Sequence, residues 1–295
     1  MTVTTDGYVT DEARGENWTL LLGDSCERLA EIPDDSIGLS VYSPPFDSLY
    51  TYSPSLRDLG NSRNRDEFLE HYGFIIRENL RVTMPGRDAC VHVADVATTK
   101  AVHGYMGLTD FPADVVRAYR ENGWIYYGKI TVDKDPQAQA IRTKSHALMF
   151  VTKERDSAWL RPALADYVLI FKKPGGNPVP VKCDVTNDEW IEWARPIWYG
   201  IRETNTLNAR VAREDADERH IAPLQLDFIE RCVRLWSNPG ETILRPFGGI
   251  GSEVYTAVKL GRRGISVELK ASYWRTAVNN LRQLDEEMQQ DTLFG

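Results

Sequence analysis

Thr242-Ile-Leu-Arg-Pro-Phe-Gly-Gly-Ile-Gly-Ser-Glu-Val254, followed shortly by Gly264-Ile-Ser-Val-Glu268, is the stretch on which the fold turns. Residues 242–244 are an apolar run of strand length, 248–251 a glycine turn, 254–260 a helical stretch and 264–267 a second apolar run. Strand, turn, helix and strand in that order make half of a mostly parallel α/β sheet. The glycines let the backbone turn sharply and approach a ligand closely. Glu268, ending the second strand, is the residue type that accepts both hydroxyl hydrogens of a ribose. The strict G-x-G-x-x-G pattern fails, because Val254 occupies the third glycine position. A nucleoside cofactor without a pyrophosphate therefore suits this turn better than NAD. A glycine turn by itself is more often structural than functional.

Outward from this unit, the same alternation fills the chain. Residues 18–22 and 37–42 read as buried strands, the first ending at Gly23-Asp24 and the second at Ser43-Pro44-Pro45-Phe46. Ser25 is placed to cap a short helix through about residue 30. Prolines lack the ladder donor, so residues 43–46 belong at the carboxyl end of a strand, where open α/β sheets bind ligands. A helix is predicted over 66–82 with Pro85-Gly86 as its stop, a strand over 88–93, a helix over 111–121, and strands over 124–132 and 167–172. Residues 136–164 have mixed pattern, 174–178 form a linker or hairpin tip, and 190–198 are rich in Trp. A helix over 224–236 leads back to the glycine unit. Residues 285–287 look like a solvated helix end.

Composition excludes several classes. At 295 residues, 42% hydrophobic and 26% charged, the chain has the make-up of a soluble enzyme. No apolar run approaches the roughly 20 residues of a spanning helix. Residues 1–17 read as a polar, flexible leader without the features of a secretory signal, and a cytoplasmic location is expected (host cytoplasm if phage-encoded). Four dispersed cysteines and five scattered histidines argue against a disulfide framework and against a metal site. The cysteines read as buried hydrophobes. Net charge is −8, yet residues 129–182 hold ten Lys/Arg against five Asp/Glu. A local basic stretch is what neutralises phosphates, whatever the whole-chain charge. His92, on an apolar strand, reads as a satisfied core histidine rather than a base. Trp190, Trp193 and Trp198 read as packing against a sheet edge rather than stacking on DNA.

Ser43-Pro-Pro-Phe46 is the second informative stretch. The exocyclic amine of a nucleobase is a poor nucleophile, since its lone pair is delocalised into the ring. A side-chain oxygen (Ser43) and a main-chain carbonyl (Pro44) can each accept one amine hydrogen and aim the lone pair at a methyl donor. Phe46 offers a π-face to an unstacked base.

The order of Ser43-Pro-Pro-Phe46, a variable middle, Arg245-Pro-Phe-Gly-Gly-Ile-Gly251 and Gly264-Ile-Ser-Val-Glu268 resembles the DNA amino-methyltransferases of the β arrangement. Those enzymes use S-adenosylmethionine to methylate cytosine-N4 or adenine-N6, and the small stand-alone phage and bacterial methylases are the most similar in kind. The resemblance covers about residues 20–281, with support from Gly23-Asp24, from His220-Ile-Ala-Pro223-Leu224, from Gly261-Arg262-Arg263 and from Tyr273. It implies a seven-stranded, Rossmann-like methyltransferase sheet, circularly rearranged with the catalytic half first. One methyltransferase domain over 18–295 is expected, with target-recognition insertions within 133–215. Ser43, Pro44, Pro45 and Phe46 would be catalytic. Phe247, Gly248, Gly249 and Gly251 would wrap the methionine portion of the donor, Glu268 the ribose, Asp24 the adenine side and Pro223 the methionine end, with Ser252 also in the cofactor site. Double-stranded DNA is the implied partner, its target base flipped out, with the basic middle on the phosphates. A homodimer and a restriction endonuclease partner are compatible with the sequence. Ser at position 43 leans toward cytosine-N4 over adenine-N6. Two positions depart from the family: Arg245 stands where Asp or Ser is usual, and Gly38 where Asp is common. Arg245 keeps alive a non-catalytic DNA- or partner-binding alternative, unless it turns outward or pairs with Glu253 or with the donor carboxylate. An RNA or protein N-methyltransferase is a further alternative, although those enzymes usually carry the glycine motif first.

Overall fold

The computed structural model describes residues 2–3, 9–45, 59, 62, 65–98, 100–136, 154–156, 158, 163–207 and 223–294. Its strands are β1 (Thr2–Val3), β2 (Val9–Arg14), β3 (Trp18–Leu22), β4 (Ile37–Tyr42), β5 (Thr83–Ala94), β6 (Val96–Ala97), β7 (Leu108–Thr109), β8 (Ile125–Val132), β9 (Asp166–Lys172), β10 (Ile197–Trp198), β11 (Thr242–Arg245) and β12 (Arg263–Glu268). All but β6 and β7 lie in one sheet, in the order β1-β2-β3-β12-β11-β4-β5-β9-β8-β10. Its body is the expected seven strands, β3-β12-β11-β4-β5-β9-β8. The first five run parallel, and β9 is antiparallel to both neighbours. β4 comes early in the chain and β11 late, yet they are adjacent, with Leu244 beside Ser40.

Parallel strands are covered on both faces, which is why Ile37-Gly-Leu-Ser-Val-Tyr42 is buried at every position. Helices Arg65–Val82 and Phe111–Glu121 cover one face through Phe68, Tyr72, Ile76, Phe111 and Tyr119. Helices Leu226–Trp236, Ser252–Lys259 and Ala271–Phe294 cover the other through Phe228, Cys232, Val254, Ala277 and Leu281. Phe111–Glu121 shows how the sequence writes such boundaries. The Asp110 carboxylate accepts the Ala113 N–H at 3.0 Å, Pro112 sits in the first turn, and Asn122-Gly123 ends the helix. Gly38 has a packing reason, because a Cβ there would lie 2.8 Å from Glu241 Oε2. Glu241 in turn pairs with the buried Arg87.

Several details differ from the sequence expectation. Residues 9–14, in the segment read as a leader, form strand β2, between the two-residue β1 and β3, with Asp11 beside Leu22 and Arg14 beside Thr19. Backbone pairing to β3 organises a segment whose side chains carry no apolar alternation. Pro85-Gly86 lies inside β5, whose first residue directly follows the helix, and Gly86 absorbs the bend at φ +71°. Asp24, not Ser25, caps the helix Ser25–Arg28, accepting the Cys26 N–H at 2.9 Å. The acidic run at 285–287 is not merely solvated, for Asp285 accepts the Trp18 indole N–H at 2.8 Å. Cys90 and Cys232 are buried as expected, whereas Cys26 and Cys183 are exposed. Trp198 is buried against Phe228 and Trp236, but Trp190 is exposed. Among the described residues, no helix is long and apolar enough to cross a membrane, and no group of three or more His, Cys, Asp or Glu could hold a metal ion.

Candidate active site

Parallel register brings the carboxyl ends of β3, β12, β11, β4 and β5 to one edge of the sheet. Leu22 is level with Glu268, and Tyr42 with Val91, so Ser43 emerges beside His92. β9 runs the opposite way, and its first residue, Asp166, arrives at the same edge opposite Ala94.

On the β11 side the glycine turn is built around close approach. A Cβ on Gly248 would lie 2.9 Å from Glu268 Cβ and 3.0 Å from the Val267 carbonyl, and the Gly248 N–H donates to that carbonyl at 2.6 Å. Gly249 and Gly251 take φ +51° and +85°, a region open to glycine. The Glu268 carboxylate accepts N–H groups from Gly249 and from Lys270. Ser252 opens the helix Ser252–Lys259, fully buried, and its hydroxyl has no hydrogen-bond partner among the described residues. The Ser25 hydroxyl donates to the Pro246 carbonyl, which ties the Gly23-Asp24-Ser25 loop to this turn.

Arg245 is buried beneath the turn. Its guanidinium forms an ion pair with the fully buried Glu253, and its Nε donates to the Phe247 carbonyl. The unusual cation is thus neutralised within the protein. Phe247 packs its ring 5.8 Å from Tyr42 and 6.1 Å from Tyr72. The hydroxyls of Tyr42, Tyr72 and Tyr119 are hydrogen-bonded together, and burial pushes the Tyr42 phenol up to about 12, so it stays neutral. This makes a rigid floor between the two turns.

On the β4 side the Ser43 hydroxyl lies 3.2 Å from the His92 carbonyl oxygen and 3.2 Å from His92 Nδ1. His92 Nε2 is 2.9 Å from Asp166 Oδ2, and Lys134 Nζ is 2.7 Å from the same oxygen. The Phe228 ring stands edge-on to the imidazole at 5.2 Å. Burial alone would raise the Asp166 carboxyl, but His92 and Lys134 more than offset it and hold it at about 2.

The structure therefore gathers Ser43, Pro44 and Pro45 at one end of the edge, and Phe247, Gly248, Gly249, Gly251, Ser252 and Glu268 at the adjoining one. Asp24 spends its carboxylate on the helix cap. Pro223 leads into the helix whose Phe228 touches His92. Phe46 and His220-Ile-Ala222 lie outside the described residues. So do Arg142, Lys144, Lys153 and Arg161 of the basic middle, while Lys134, Lys172 and Lys173 pair internally with Asp166, Asp88 and Asp35. Sequence reasoning passed over Asp166 and Lys134 and took His92 for a core residue. A charged residue flanking each of two adjoining apolar strands was the available signal.

Fold and turns together place the chain in a class, the α/β methyltransferases that draw a methyl group from S-adenosylmethionine. Within it, a family model described as DNA methylase, of the N6/N4 type, matches residues 37–279, and the chain belongs to that family. It is 24% identical to the type II methyltransferase M.MjaI of Methanocaldococcus jannaschii, over 87% of this chain and 88% of that one. It is also 24% identical to M.Cfr9I of Citrobacter freundii, over 90% and 88%. Among solved structures, a protein of Thermus thermophilus assigned as a DNA modification methylase matches with a TM-score of 0.67 at 25% identity, over 92% and 95% of the two chains. The same protein in complex with S-adenosyl-L-methionine matches at 0.65 and 25%, over 89% and 94%. The PvuII cytosine-N4-specific DNA methyltransferase shares the fold at 19% identity, with a TM-score of 0.64 over 90% and 86%.

Proposed function

We propose that this DNA methyltransferase modifies a specific sequence in double-stranded DNA, placing the methyl group on the exocyclic amine of a flipped base, with cytosine-N4 favoured over adenine-N6. The observation that carries this reading is the adjacency of two turns: Ser43-Pro44-Pro45 ends β4, and the glycine turn ends β11, its neighbour in the sheet. S-adenosylmethionine, when bound, supplies an electrophilic methyl group on a cationic sulfur. The residues present suit that donor. The Gly248 cradle would be filled by any Cβ, Ser252 holds an unpartnered hydroxyl, and Glu268 ends β12 with a carboxylate for the ribose. On the acceptor side, Ser43 and the Pro44 carbonyl take the two amine hydrogens, and Phe46 offers a stacking face. Serine at position 43 supports cytosine.

The non-catalytic alternative rested on Arg245. Its pairing with Glu253 keeps that cation from standing bare beside the donor's sulfonium, which supports the catalytic reading. The relatives' type II designation supports a restriction endonuclease partner, and a homodimer and a cytoplasmic setting accord with this role. The test is single-molecule sequencing of DNA from a methylation-deficient host expressing the chain, beside a Ser43→Ala control. A modified motif in the first and not in the second is expected, and the modified base decides cytosine against adenine. Unmodified DNA from a well-expressed chain that also binds no S-adenosylmethionine in calorimetry would overturn the reading.

A further inference from the structure

A serine oxygen can accept an amine hydrogen strongly only if its own hydrogen points elsewhere and its lone pairs face the base. Around Ser43 two acceptors are within reach, the His92 carbonyl and His92 Nδ1, both at 3.2 Å. Which way the second bond runs depends on where the imidazole carries its hydrogen. Asp166, 2.9 Å from Nε2, only accepts when ionised, so in the neutral imidazole it draws the hydrogen to Nε2 and leaves the Nδ1 lone pair facing Ser43. Lys134, itself buried, holds Asp166 from its other side at 2.7 Å, and Phe228 fixes the ring plane. The four polar residues come from separate segments: the ends of β4 and β5, the start of β9 and the turn after β8. Burying an imidazole, a carboxylate and an ammonium together costs desolvation that an apolar cluster would avoid. Such a chain at a strand-end site points to a task beyond packing.

We propose that His92 is a positioning residue for methyl transfer: oriented by Asp166 and Lys134, its Nδ1 takes the hydrogen of the Ser43 hydroxyl and so turns the serine lone pairs toward the target amine. The proposal rests on the amino-methyltransferase reading above. His92 touches neither base nor donor in this role and acts only through Ser43. Asp166 and Lys134 act one step further back, by fixing the tautomer.

Two measurements test it. Single-turnover methyl transfer is compared for wild type, Ser43→Ala, His92→Ala, His92→Asn and the double variant Ser43→Ala/His92→Ala, with donor and DNA affinities measured alongside. Histidine nitrogen shifts are recorded by NMR for the folded protein without donor or DNA. His92→Ala is expected to slow transfer about 10- to 100-fold with affinities little changed, and His92→Asn, whose side-chain oxygen can stand in for Nδ1, to recover part of that. In the Ser43→Ala background, removing His92 should cost less than about twofold, because the residue it acts through is gone. NMR should show the hydrogen on Nε2, with an Nδ1 shift that moves in Ser43→Ala. Equal losses in both backgrounds would assign His92 a structural role and overturn the proposal, as would a hydrogen resident on Nδ1. A wild type that methylates no DNA would instead overturn the functional reading, while the tautomer measurement would still decide the hydrogen-bond arrangement on which the proposal stands.

Discussion

Asp166 carries two partners on one oxygen, and its ionisation is therefore a stability term. Its folded pKa, about 2, lies below the ordinary carboxyl value because His92 and Lys134 outweigh burial. A depressed carboxyl contributes stability that is full above the unfolded value near 4 and is lost as pH falls toward 2. We expect urea midpoints of the wild type to fall between pH 5 and pH 2 by an amount to which Asp166 contributes about 2 kcal/mol. Asp166→Asn should flatten that fall while lowering stability at pH 7, where Lys134 loses its partner. Arg245 and Glu253 form a second buried pair. Glu253→Ala leaves the guanidinium buried without its partner and should cost about 3–5 kcal/mol in denaturant unfolding, whereas Arg245→Met with Glu253→Leu should cost far less. Equal costs would mean that the pair is solvated on opening rather than locked.

An element acts here mainly by what it places at its end. β11 and β12 are ordinary apolar strands, yet their register sets Gly248 against Glu268 at a distance that admits no side chain. Gly248→Ala should therefore leave the strands in place but displace the turn, weakening S-adenosylmethionine binding in calorimetry by at least about tenfold while melting changes little. A variant that binds the donor normally would show that the turn has slack the packing does not suggest. The helix over residues 66–82 and the strand over 88–93 were legible because their periods are clean. β2 was not, for it lies near the margin of the sheet and is held by backbone pairing, and a period-2 pattern needs a buried face to write it. Pro85-Gly86 misled for a related reason: at the entry to a strand a proline and a positive-φ glycine are tolerated, though in a helix they are a stop.

Across the whole molecule, charge is unevenly held. The net −8 coexists with a basic middle, but Lys134, Lys172 and Lys173 are occupied by carboxylates of the fold itself. Seven cations of that stretch stand outside these three pairs, among them Arg142, Lys144, Lys153 and Arg161, which lie outside the described residues. If those four carry the contacts, DNA affinity should drop about 100-fold between 50 and 200 mM salt, and each replaced by Ser should lower the log–log slope by about one. A slope unchanged by all four substitutions would move the DNA-binding surface elsewhere.

The sequence by itself determined the alternation of strands and helices, the two strand-end turns and their order, because local pattern and turn chemistry write those directly. From Ser43-Pro-Pro-Phe46 and the glycine unit it also identified the family. Only the tertiary structure decided what Arg245, His92 and Asp166 do. Arg245 was an anomaly until Glu253, in the first turn of the next helix, proved to be its partner. His92 looked like an isolated core histidine because its partners come from β4, β9 and the segment after β8, residues 43, 166 and 134. No window of sequence contains such a cluster. It exists because parallel strands end together and an antiparallel strand begins beside them, bringing to hydrogen-bond distance groups that the chain itself keeps far apart.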